Sequence, residues 1–206
     1  MHLFDDPDSL ISVLLRFGHI MFGIIWLGHL YFFNLVNVPF QGGLDKELKP
    51  KVNPALLLRA FWWFRWGAMY TFIFGILLFV WHYLHPEHNL TYPEGGVTTR
   101  AMWALFGAVL GIIMWFNVWF VIWPRQKKIL GGMAAGTPHP DAAKLAATAG
   151  KASRFNTYAS GPMLFGMVGA THFAAMSLPT LIAVLIVGLG FWYGMIKRSF
   201  KVKTTV

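Results

Sequence analysis

Apolar residues dominate five long stretches of the chain, over 10–38, 55–84, 97–123, 153–176 and 178–200, and polar segments separate them. A helix needs about 20 mostly apolar residues, at roughly 1.5 Å each, to cross the hydrocarbon core of a bilayer. Each stretch meets that length. The pattern therefore predicts an all-α fold: a polytopic membrane helix bundle with about five transmembrane helices, forming a single domain over 1–206. The fourth stretch is the most polar, with Asn156, Ser160, Gly161 and Pro162. Such residues are tolerated in a spanning helix when neighbouring helices satisfy the freed backbone groups. Residues 131–150 are small and polar and read as a loop, with a short interfacial helix expected over 141–151.

Composition agrees with this pattern. Of 206 residues, 56% are hydrophobic and 12% charged, against about 25% charged in a typical soluble domain. The net charge of +9 would suggest nucleic acid in a soluble protein. Here the cations sit in short segments between apolar runs, so membrane orientation explains them and no nucleic-acid partner is expected. Lys46, Lys49, Lys51 and Arg59 flank the first connection. Arg125, Lys127, Lys128, Lys144, Lys151 and Arg154 flank the third, and Lys197, Arg198, Lys201 and Lys203 follow the last stretch. The other segments are poor in Lys and Arg. Basic segments stay cytoplasmic, which places the N-terminus outside and the C-terminus in the cytoplasm of a multi-pass protein. The acidic opening lacks the basic start and cleavage site of a secretory signal, so the first stretch is expected to be retained.

Cysteine is absent, which removes disulfides, thiolate metal sites, iron–sulfur clusters and covalently attached c-type haem. A redox centre in this chain would use His, Met or carboxylate ligands, or a non-covalent cofactor. Ionisable residues inside a spanning helix are costly and become functional candidates. The first stretch carries Arg16, His19 and His29. Helical spacing puts Arg16, His19, Gly23 and Trp26 on one face, with Asn34 and Asn37 further down it. This face must look into the bundle, and Gly23 would admit a flat group or another helix. His172 lies near the outer end of the fourth stretch and His82 near the outer end of the second, followed by His85 and His88. Two neutral imidazoles facing across a bundle hold b-type haem (heme b). His19 and His172 are the expected pair of iron ligands, with His82 the substitute and Arg16 placed for a propionate. His29 lies about 80° around the helix from His19 and is a candidate for a second, inner site. The plainer alternatives are imidazoles bonded to a neighbouring carbonyl, and interfacial or metal-gathering roles for His82, His85 and His88. His139 falls in a loop. Arg65, beside Trp62 and Trp66, is expected to snorkel, bind a lipid phosphate or pair with a buried anion. Asn117, in mid-span, requires a hydrogen-bond partner.

Several of these runs resemble the urate oxidase N-terminal family. Residues 15–28, with Arg16, His19 and Trp26, are similar to its opening helix, and Phe61 to Trp66 to its second. The longest similarity runs from Asn117 through Pro124 to Lys128 and continues with Ser153, Arg154, Phe155, Asn156 and Tyr158, then Pro162 to Met167, ending near His172. That family is the membrane domain of bacterial membrane-bound urate oxidases, followed in full-length members by a cytochrome c domain. The resemblance implies a redox role in a bacterial inner membrane, with His19 and His172 as the matching histidines. Departures accompany it. The chain stops after the fifth stretch, as expected of a stand-alone, divergent member. Trp62 and Gly67 stand where the family carries His and Glu, and Phe155 stands where it carries His.

Three functions follow. The first is a membrane electron-transfer protein that binds b-type haem and works between quinone and a separate cytochrome c or a larger redox complex. The second is a urate- or purine-oxidising enzyme that needs a partner cytochrome. The third is a non-redox structural or metal-binding membrane subunit.

Overall fold

The computed structural model describes residues 7–84, 90–173 and 175–202. The described residues are helical apart from their connections. The helices are α1 (Pro7–Gly43), α2 (Lys49–Leu84), α3 (Thr99–Ala134), α4 (Ala142–His172) and α5 (Leu178–Ser199). Four of them, α1, α2, α3 and α5, are long and apolar enough to cross a membrane. The expected short helix over 141–151 is not a separate element. It forms the first turns of α4, because no proline or glycine pair interrupts the small helix-tolerant residues that follow Ala142.

The helices pack as hairpins. Along α1 and α2, Ser12 meets His82, His19 meets Thr71 and Gln41 meets Asn53, so the pair runs antiparallel over its full length. Likewise α3 and α4 run antiparallel. A Cβ on Gly166 would lie 2.8 Å from the Gly107 nitrogen, so only glycine permits this crossing. A second close crossing joins α4 to α5, where a Cβ on Gly188 would lie 2.7 Å from Pro162 Cδ. Apolar burial does not drive helices together in lipid. Small residues that let backbones approach and gain dispersion contacts replace that force. The outward faces are apolar, with Phe17 62% exposed, Ile24 62% and Val187 71%. That is the reverse of a soluble bundle and suits contact with lipid.

The core lies towards the middle and the basic end of the bundle. Phe33 stacks on Phe61 at 4.3 Å between ring centroids, and Trp115 on Phe72 at 4.2 Å. Polar residues share this core, among them Asn156, Thr157 and Ser160, all with 0% exposure. They lie on α4, which explains why that stretch is less apolar: it is enclosed by other helices.

Three of the helices contain a π-helical stretch, at Phe32–Asn37, Val80–Leu84 and Asn117–Ile122. Two of these stretches end just before a proline, Pro39 and Pro124. Proline has no N–H for the carbonyl four residues back, and a widened turn is one way to accommodate the loss. After Pro124, Arg125 Nη1 donates to the Val121 carbonyl at 2.8 Å and reaches that of Phe120 at 3.5 Å. Between α2 and α3, residues 90–98 form a small turn bridged by Thr91 and Val97, with Gly95 at φ 97° and Gly96 at φ 88°. Side chains with a Cβ rarely adopt that region.

Candidate functional site

The α1 stripe faces α2. Its outermost member, Arg16, donates from Nη2 to His82 Nε2 at 3.0 Å. Ser12 Oγ lies 3.1 Å from the same nitrogen and accepts from Arg16 Nε at 3.4 Å. Arginine only donates, so His82 Nε2 is an acceptor here and is engaged. One turn inward, His19 Nδ1 lies 2.9 Å from the Thr71 carbonyl. A carbonyl only accepts, so Nδ1 carries the proton and Nε2 holds the lone pair. A ligating imidazole takes this tautomer, with its second nitrogen fixed by a backbone carbonyl. Gly75 makes room for the ring, since a Cβ there would lie 3.1 Å from His19 Cε1. Below it, Trp26 is 3% exposed, and its indole Nε1 has no hydrogen-bond partner among the described residues. Gly23 sits on the same face, but a Cβ there would meet only Thr71 Cγ2, at 3.9 Å. The tight approach to α2 falls instead at Gly67, where a Cβ would lie 3.0 Å from the Trp26 nitrogen.

His172 stands in the last turn of α4 and is exposed. The end of that helix is held by Trp103, whose Nε1 donates to the Ala175 carbonyl at 3.2 Å. No hydrogen bond among the described residues joins His172 to His19. Nor do the described residues contain a group of three or more His, Asp or Glu able to hold a metal ion. His85 and His88 lie outside the described residues. His139 Nδ1 accepts from the Asp141 amide at 3.1 Å in the α3–α4 connection.

Two cavities accompany the stripe. The first is a groove of about 520 Å³ on the outside of the α1–α2 pair, lined by Gly28 and His29 from α1 and by Arg59 and Trp63 from α2. His29 Nδ1 donates to the Ile25 carbonyl at 2.7 Å, which leaves Nε2 as an acceptor. The second is a crevice of about 520 Å³ at the basic end, where α1, α2, α3 and α4 converge. Asn34, Asn37, Gln126, Lys151, Ser153 and Arg154 line one part of it. Asn34 Nδ2 donates to Ser153 Oγ at 2.8 Å and to the Leu30 carbonyl at 3.0 Å. Above the crevice the Arg65 guanidinium stacks on Trp123 at 4.1 Å, while Trp119 Nε1 donates to the Arg65 carbonyl at 3.2 Å. Arg65 is thus held by indole faces, a cation–π arrangement. In mid-bundle, Asn117 bonds to Asn156 at 2.9 Å.

Residues 94–205, just over half of the chain, match the urate oxidase N-terminal family model. The chain belongs to the urate oxidase N-terminal family. The family match covers α3, α4 and α5 and includes Asn117, Asn156 and His172. His19, His29, Arg65 and His82 lie outside it, on the first two helices. No curated protein and no solved structure matches the chain.

Sequence reasoning missed Thr71 and Gly75, which fix the His19 ring from α2, and Ser12, which completes the Arg16–His82 group. It also read Lys151 and Arg154 only as loop charges. The signals were present: Thr71 is a polar residue amid an apolar run, and Arg154 is the second residue of the fourth stretch.

Proposed function

We propose that the chain is a multi-pass bacterial inner-membrane protein of five spans, N-terminus outside, that transfers electrons using b-type haem bound through His19. The observation that carries this reading is the His19–Thr71 hydrogen bond at 2.9 Å. It fixes the tautomer and orients the ring, so that Nε2 keeps the lone pair a ligand needs. The unpartnered Trp26 Nε1, about two turns further along the same face, also fits a polar guest in this part of the bundle. His172 is the proposed second ligand. His82 is the weaker choice, because its Nε2 already accepts from Arg16. When bound, b-type haem supplies one-electron redox chemistry. The chain's own residues hold the imidazole through the Thr71 carbonyl and place Arg16 one turn toward the helix start, where a cation steadies carboxylates.

The proposed partners are a membrane quinone and an outer cytochrome c or larger redox complex. The groove at His29 supports the first, since it opens on the apolar outside of the bundle and offers an acceptor nitrogen for a quinol hydroxyl. The test is reduction of added cytochrome c by added quinol in vesicles that contain the purified protein. A rate that disappears in His19→Ala supports the reading, and a rate no higher than empty vesicles refutes it.

Family membership favours one second reading, oxidation of urate or a related purine with electrons passed to a separate cytochrome. Urate consumption with an added electron acceptor distinguishes it from quinol oxidation.

A further inference from the structure

We propose that the crevice at the basic end of the bundle holds the phosphate of an anionic phospholipid headgroup. This inference does not depend on the haem reading. Arg154 Nη1 is buried and has no hydrogen-bond partner, and Arg154 makes no ion pair among the described residues. A guanidinium carries five donors and stays charged at any relevant pH. Removing one of its nitrogens from water without an acceptor is costly. Among the described residues the crevice lining contains no Asp or Glu, so none of them supplies a counter-anion there.

The remaining polar lining suits a phosphate. Arginine meets phosphate oxygens with paired, charge-assisted hydrogen bonds. Lys151 lies three residues earlier on the same helix face and adds a second cation at the mouth. Ser153 Oγ accepts from Asn34, which leaves its own hydroxyl proton to donate. Gln126, on α3, offers a neutral amide from across the crevice.

The rest of the wall chooses between a free phosphate and a lipid. Phe33, Leu57, Phe61 and Ile122 make the other side apolar. A free phosphate would leave that side uncovered, whereas the glycerol and first acyl carbons of a lipid would cover it. The crevice also opens where the chain's basic segments gather, and basic pockets between spanning helices at such an end bind anionic headgroups. Its volume of about 520 Å³ is ample for one headgroup.

The test is native mass spectrometry of the full chain in detergent, with phosphatidylglycerol, phosphatidylcholine or inorganic phosphate added separately. The expected result is one tightly held phosphatidylglycerol and little phosphatidylcholine. Arg154→Gln should weaken the adduct about tenfold, as loss of a charge-assisted hydrogen bond does. A second variant, Gly150→Leu, keeps every charge. A Cβ at Gly150 meets nothing within 4 Å, so the leucine should fill the crevice and displace the lipid from a folded protein. Equal binding of the two lipids, or wild-type binding by both variants, overturns the proposal. Thermal stabilisation by phosphate alone, with none from phosphatidylglycerol, overturns the lipid assignment and gives the site to a free phosphate.

Discussion

Asn156 accepts a hydrogen bond from Asn117 Nδ2 at 2.9 Å and donates its own Nδ2 to the Met114 carbonyl at 2.9 Å. One amide on α4 therefore ties down both the side chain and the backbone at the start of the π-helical stretch of α3. Replacing it with Ala strands the Asn117 amide. We expect Asn156→Ala to cost about 2 kcal/mol, because buried polar groups lose their partners. Asn117→Ala should cost less, since Asn156 keeps Met114. Thermal unfolding in detergent checks both, and an Asn156→Ala protein as stable as wild type would contradict the role.

The Gly107–Gly166 crossing makes a steric prediction. Gly166→Ala forces α3 and α4 apart and should destabilise the bundle by roughly 1–3 kcal/mol, as overpacking does. Gly111→Ala on the same α3 meets nothing within 4 Å and should be neutral or slightly stabilising. Melting curves of the two variants side by side measure the contrast.

Arg65 is placed by rings. Arg65→Leu keeps bulk but removes the cation–π contact with Trp123, an expected loss of about 1–2 kcal/mol for a partly desolvated pair. Trp123 and Trp119 should also change their fluorescence. Unaltered emission and stability would mean that the stacking contributes nothing.

Much of the fold was legible because spanning length and apolar composition are properties of local sequence. The Arg16–His19–Trp26 stripe was legible for a similar reason: helical spacing alone puts these residues on one face, and that face meets α2. Contacts between helices were not legible. Nothing in the α1 sequence names Thr71 as the partner of His19, because the pairing depends on the register of two helices joined by a turn. The π-helical stretches were also missed, although Pro39 and Pro124 mark two of them. Lys151 and Arg154 read as charges flanking the third connection because the start of α4 is polar. That start is mostly exposed, with Ala149 buried among residues that face outward, and the enclosed polar residues begin only at Asn156.

Quinol access makes a prediction about His29. If its Nε2 receives a quinol hydroxyl, His29→Leu should raise the KM for quinol several-fold and leave any optical spectrum unchanged, since a single hydrogen bond contributes about 1 kcal/mol. Steady-state rates over a range of quinol concentrations test this. An unchanged KM would move the quinol elsewhere.

The central claim, that His19 is an iron ligand, is tested most directly by optical spectra of the detergent-purified protein, oxidised and dithionite-reduced, beside His19→Ala and His82→Ala. The account predicts a Soret band and a sharp reduced α-band in the wild type, lost in His19→Ala and kept in His82→Ala. A featureless spectrum from protein produced with ample haem, or a band that survives His19→Ala unchanged, would contradict it.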